Sequence, residues 1–103
     1  MSVLEEVLEE EYDRSVRMSR RIEAELAVLP KGSVRKREIR GHVYYYLNYR
    51  EGDKVKSKYI PAADVEKIRL QLSRRKELIA AQKEQQRSRK QIERALGRRP
   101  HVE

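Results

Sequence analysis

The fold class predicted by this sequence is α+β, a small antiparallel sheet of two or three strands between two long helices, and three observations carry it. Five of the six tyrosines, all but one of the four glycines and two of the three prolines fall between Leu29 and Pro61. Aromatic and β-branched residues fit a pleated, half-buried surface and glycine supplies positive φ, so this stretch differs in kind from its flanks. The flanks are long, charged and free of breakers, with apolar residues at three- and four-residue intervals, whereas from Val34 the period changes to two.

The first helix starts near Ser2, because Ser2 and Glu5 have the spacing of a capping box. Glu5, Glu6, Glu9, Glu10 and Glu11 suit the positive end of the helix dipole, and Arg14, Arg17, Arg20 and Arg21 come later. Leu8, Tyr12, Ser15, Ser19, Ile22, Leu26 and Leu29 form one narrow stripe, and its two serines are small enough to let another helix approach closely. Pro30 lacks an N–H and disfavours the α conformation in the residue before it, so the helix covers residues 2–29.

The sheet is expected over residues 33–60. Val43, Tyr45, Leu47 and Tyr49 share one face of a strand, and Tyr44, Tyr46, Asn48 and Arg50 share the other. In the next strand Val55, Ser57 and Tyr59 oppose Lys54, Lys56 and Lys58. A two-residue Glu51-Gly52 turn would set Leu47 opposite Lys56 and mix apolar with charged side chains. A three-residue loop, Glu51-Gly52-Asp53, pairs Tyr49 with Val55, Tyr45 with Tyr59 and Tyr46 with Lys58, which predicts one apolar face and one tyrosine–lysine face. An earlier strand, Val34 to Ile39, turns back at Arg40-Gly41-His42, and its charge suits an edge.

Pro61 is well placed in a first helical turn, and a second helix is expected over residues 62–97, with Asp64 and Glu66 near its start. Val65, Ile68, Leu72 and Ile79 provide a stripe with a gap at Arg75. From Gln82 to Gln91 no apolar side chain appears, and Ile92, Ala95 and Leu96 resume before Gly97. The basic end of this helix is therefore either a solvated projection or a segment that folds on a partner, followed by a flexible tail at residues 98–103. At 1.5 Å per residue the helices reach about 40 and 50 Å, against about 23 Å for a seven-residue strand. They must overhang the sheet. The economical arrangement is a single domain in which the helices pair antiparallel, with the sheet across one end and leftover apolar stripe closing a homodimer.

Composition narrows the chemistry. With 38% apolar and 41% charged residues in a chain of 103, a large core is excluded. No apolar run approaches the ~20 residues that span a bilayer, and the N-terminus opens on acidic residues, so a soluble cytoplasmic protein without membrane contact is expected. The absence of cysteine rules out disulfides, a thiolate nucleophile and cysteine-ligated zinc. His42 and His101 are far apart, and no metal or other cofactor is expected. No phosphate loop, paired catalytic carboxylates or Ser/His/Asp set is present, so the chain does not read as an enzyme. The net charge of +8 is unevenly spread: residues 1–29 carry 4 basic and 8 acidic side chains, residues 30–60 carry 9 and 3, and residues 61–103 carry 12 and 6. An acidic arm followed by a basic remainder suits an anionic partner or attraction between protomers.

The candidate nucleic-acid-binding residues are Tyr44, Tyr46, Asn48, Arg50, Lys54, Lys56 and Lys58, joined by Arg35, Lys36 and Arg37. Lysine and arginine neutralise phosphates and tyrosine rings offer stacking surface, although lysines on a sheet are also simply a solvated face. Arg87, Arg89, Lys90, Arg94, Arg98 and Arg99 form a second basic region, which could follow a phosphate backbone or serve as a solubilising surface.

The residues Leu29-Pro30-Lys31-Gly32-Ser33, Tyr44-Tyr45-Tyr46-Leu47, Tyr49-Arg50, Gly52 and Lys54-Val55-Lys56-Ser57-Lys58-Tyr59-Ile60 resemble an uncharacterised family of small archaeal and bacterial mobile-element proteins with a tyrosine-rich hairpin between helices. More loosely, the stretch is similar to the three-stranded arm-type DNA-binding domains of tyrosine integrases. The resemblance implies a mobile-element or phage module with nucleic acid as partner, and it transfers no binding residues. The function expected is a nucleic-acid-binding accessory protein, with DNA favoured over RNA. The alternative is a small non-catalytic inhibitor or regulator of a nucleoprotein enzyme, of the anti-CRISPR kind, acting by protein–protein binding.

Overall fold

The computed structural model describes residues 2–97. Its elements are α1 (Val3–Val28), β1 (Ser33–Ile39), β2 (His42–Glu51), β3 (Lys54–Ile60), a 3₁₀ turn over Ala62–Asp64 and α2 (Val65–Leu96). The sheet is antiparallel in the order β1-β2-β3 and falls between the two helices, which is the expected α+β class. The helix ends follow their local chemistry. Ser2 Oγ accepts the Glu5 N–H at 3.2 Å, and Gly97, at φ 66, donates its N–H to the Arg94 carbonyl at 3.1 Å, the inner bond of a Schellman-type end. The tail expected at 98–103 lies outside the described residues.

The chain divides into two compact units, one made of α1 up to Ala27 with α2 from Leu78 onward, the other running Val28–Glu77. In the first unit the helices are antiparallel, because contacts that climb α1 descend α2. The Tyr12 hydroxyl donates to Glu93 Oε1 at 2.9 Å, Ser15 Oγ donates to Gln85 Oε1 at 2.8 Å, and Gln82 Nε2 donates to the Ser19 carbonyl at 3.1 Å. Tyr12, Ile22, Leu78 and Ile92 are the buried apolar residues, with Ser15 and Ser19 between them. The apolar gap at 82–91 is thus no solvated projection. Gln82, Gln85 and Arg89 meet the two serines that interrupt the α1 stripe, so polar side chains pair across the seam where apolar ones are missing. Tyr12, Ser15, Ser19 and Ile22 of the α1 stripe are buried within the chain. Ile79 also departs from expectation, being 38% exposed while Leu78 is 5% exposed, since a three-and-four spacing through Arg75, Leu78, Gln82 and Gln85 keeps to the buried side better than one through Ile79.

In the second unit Leu47, Ile60 and Val65 form a core, with Val34, Tyr45, Tyr49, Ile68 and Leu72 packed against it. Burying each such aliphatic side chain contributes about 1.5–3 kcal/mol. Gly32 sits at φ +115 where a Cβ would collide with the Asn48 carbonyl oxygen, so glycine is what lets the chain enter β1 alongside β2. Two tight turns close the sheet. Arg40 and Gly41, at φ 51 and 80, join Ile39 to its partner His42.

The second turn corrects the expected register. Glu51 pairs with Lys54, so the loop has two residues, Gly52-Asp53, with Gly52 at φ 64 in the first central position of a type II′ turn. Tyr49 then faces Lys56, Leu47 faces Lys58, Tyr46 faces Tyr59 and Tyr45 faces Ile60. Relative to a three-residue loop this moves every β3 side chain to the opposite side of the sheet. Val55 and Tyr59, expected on the apolar face, are 68% and 54% exposed.

Candidate nucleic-acid interface

One side of the sheet carries Arg35, Arg37, Tyr44, Tyr46, Asn48, Arg50, Val55, Ser57 and Tyr59. The other carries Val34, Lys36, Glu38, Val43, Tyr45, Leu47, Tyr49, Glu51, Lys54, Lys56, Lys58 and Ile60. Around Leu47 and Ile60 the second side is covered by the start of α2 through Val65, Ile68 and Leu72, while its Lys36, Glu38, Val43, Glu51, Lys54, Lys56 and Lys58 are exposed. The first is open: Arg35, Arg37, Arg50, Val55, Ser57 and Tyr59 are exposed, and Tyr44, Tyr46 and Asn48 are half-buried.

The two kinds of cation are thereby sorted. All the strand arginines, Arg35, Arg37 and Arg50, stand on the open face, and all the strand lysines, Lys36, Lys54, Lys56 and Lys58, stand on the covered one. The strand carboxylates Glu38 and Glu51 go with the lysines, and Lys56 Nζ lies 2.8 Å from Glu51 Oε2. Physical differences between the side chains fit this sorting. A lysine can lay its long stem beside Leu47 or Tyr49 and still keep its ammonium in water, whereas arginine presents a planar fork that stacks on rings and grips phosphate bidentately.

The ten residues expected to act on one surface are therefore split. Arg35, Arg37, Tyr44, Tyr46, Asn48 and Arg50 remain together, while Lys36, Lys54, Lys56 and Lys58 are on the reverse side. In exchange the open face acquires Ser57 and Tyr59. The signal that could have found them is the dipeptide Gly52-Asp53, a two-residue hairpin sequence.

Side chains on the open face pre-arrange one another. The Arg37 guanidinium carbon lies 5.7 Å from the Tyr46 ring centroid, and Tyr46 meets Tyr59 edge to face with centroids 5.9 Å apart at 69°. Ser57 Oγ donates to Asn48 Oδ1 at 2.8 Å, which fixes the plane of the amide. On the covered side Arg69 lies over the Tyr45 ring at 5.7 Å and donates to Glu66 Oε1 at 3.2 Å. An open cleft of about 230 Å³ there is lined by Gly32, Ser33, Val34, Arg69, Leu72, Ser73 and Lys76.

The second basic region is divided among the described residues. Arg89 is turned into the helix pair, donating to Ser19 Oγ at 2.6 Å and Ser15 Oγ at 3.0 Å, and Arg87 donates to Glu84 Oε2 at 2.8 Å. Lys90 and Arg94 are exposed, and Arg98 and Arg99 lie outside the described residues. Among the described residues no group of three His, Cys, Asp or Glu side chains is placed to hold a metal ion. Among the same residues, no helix is long and apolar enough to cross a membrane.

A family model described as a domain of unknown function, DUF6788, matches residues 4–70. The chain belongs to this family. The match takes in most of α1, the whole sheet and the first residues of α2, so the open face lies entirely within the family domain, whereas Gln82, Gln85 and Arg89 lie beyond it. No curated protein and no solved structure matches the chain.

Proposed function

We propose that the protein is a non-catalytic nucleic-acid-binding accessory protein, of the mobile-element or phage kind, and that the open sheet face is its contact surface. The observation that carries this reading is the sorting of cations: three arginines share a face with three tyrosines and no strand carboxylate, while lysines and glutamates share the other. A face that served solubility alone would have no need to separate arginine from lysine. Guanidinium forks on Arg35, Arg37 and Arg50 suit phosphate oxygens, and the rings between them suit bases or sugars.

The test is fluorescence anisotropy with generic DNA across a salt series. Binding should strengthen as salt falls, since it depends on release of counterions. Arg37→Ala with Arg50→Ala should weaken binding to any sequence at least about tenfold and lower the salt slope by about one for each phosphate no longer neutralised. Lys56→Ala with Lys58→Ala, on the reverse side, should change it less. Absence of binding to any nucleic acid at low salt would overturn the reading.

A further inference from the structure

The strand register arranges the open face in rows. Tyr46 and Tyr59 form one, with Arg35 beyond Tyr46; Asn48 and Ser57 form the next, with Ser33 beyond Asn48; Arg50 and Val55 form the third. Successive rows are about 7 Å apart and neighbouring strands about 4.8 Å. The middle row consists of short side chains; the tyrosines rise on one side of it and Arg50, beside the short Val55, on the other. The result is a trough with a hydrogen-bonding floor, an aromatic wall and a guanidinium opposite.

We infer that this trough holds one unpaired base of a single-stranded nucleic acid, stacked on Tyr59 with its edge on the Asn48 amide and Arg50 closing the other side. The inference rests on the nucleic-acid reading above and narrows it. Tyr59 is the more open platform: the residue keeps 54% of its surface in solvent and meets Tyr46, whereas Tyr46 is half-buried and engaged by both Arg37 and Tyr59. Stacking on a tyrosine requires a base whose face is accessible, and in a duplex the faces are covered by neighbouring pairs. Asn48 is set up to read an edge. Its Oδ1 takes one hydrogen bond from Ser57, leaving a second lone pair and both Nδ2 protons for a ligand, the donor–acceptor pair that complements adenine. The trough is about 14 Å from the tyrosine row to the Arg50 row, room for a base standing on edge between a ring and a guanidinium that both lean inward.

Anisotropy with labelled 12-mers of dA and dT and with a 12-base-pair duplex, all at low salt, tests this. The dA strand should bind about tenfold more tightly than the duplex and at least about fivefold more tightly than dT. Tyr59→Ile keeps apolar bulk and strand propensity but removes the ring, and should cost about 5- to 100-fold on dA with little change on duplex. Asn48→Ala should abolish the difference between dA and dT. Because Asn48 is half-buried, Ser57→Ala provides a gentler change at an exposed site: it frees the amide and should shrink the same difference, with an unchanged thermal transition as the check on folding. Duplex binding as tight as dA, or a preference between dA and dT that survives Asn48→Ala in a folded protein, would overturn the trough. Arginine-dependent duplex binding of that strength would do so while leaving the general nucleic-acid reading standing; no binding to any of the three would remove both.

Discussion

The guanidinium of Arg89 donates to the Ser19 hydroxyl at 2.6 Å, from the last third of α2 to the middle of its antiparallel partner α1. The same Nη1 reaches the Ser15 hydroxyl at 3.0 Å and the Ser15 carbonyl at 3.2 Å, so a single charged group holds together the segment where both helices lack apolar side chains. Removing Arg89 leaves the buried serines under-bonded, which costs more than removing all three. Arg89→Met should therefore destabilise the protein by about 1–3 kcal/mol in urea unfolding. The combination Ser15→Ala, Ser19→Ala and Arg89→Leu should recover most of that loss. A triple variant less stable than Arg89→Met would show that the network contributes net stability of its own.

Gly32 and Gly41 both have positive φ, at +115 and +80, yet they should respond differently to alanine. At Gly41 nothing lies within 4 Å of an added Cβ, so the change costs only backbone strain, about 1 kcal/mol. At Gly32 the methyl meets the Asn48 carbonyl oxygen, part of the β1–β2 ladder, and backbone cannot yield as a side-chain end can. Gly32→Ala should lose more than about 2 kcal/mol in thermal or denaturant unfolding. Equal losses at the two glycines would contradict this account of how the chain enters β1.

Leu78 and Ile79 are neighbours of similar size on α2, and only the first is buried. Leu78→Ala should cost about 2–5 kcal/mol, whereas Ile79→Ala should fall within about 1 kcal/mol of the parent. Comparison of their urea midpoints decides whether the buried side of α2 passes through the first residue or the second.

Much of the fold was legible in the sequence, because the signals concerned were local. Ser2, Pro30, Pro61 and Gly97 mark helix limits through single-residue backbone chemistry, and the change of period from three-and-four to two marks the sheet. Faces were harder. Placing Lys54, Lys56 and Lys58 on the open side rested on keeping charge away from Leu47 and Tyr49, a rule that overlooks how far a lysine stem carries its ammonium past an apolar neighbour. The glycine-first dipeptide Gly52-Asp53 held the answer. Residues 82–91 depart from expectation for a related reason: an apolar stripe is not the only thing a helix can bury, and Ser15 and Ser19 on α1 are the visible counterpart of Gln82, Gln85 and Arg89. The Arg–Lys sorting could not be seen until the register was known, since along the chain the two residue types simply alternate through Arg35, Lys36 and Arg37.

Gly52-Asp53 therefore behaves less like a loop than like a reading frame. One extra residue inserted there would turn over all of β3, carrying the lysines to the outside and Tyr59 and Val55 inward, and would move Ile60 out of the core. Two extra residues could be absorbed as a longer hairpin with every side chain still on its own side. Variation in the length of this turn should accordingly be tolerated in steps of two and rejected in steps of one, and a library of turn insertions sorted by folding and by DNA binding would read out that parity directly.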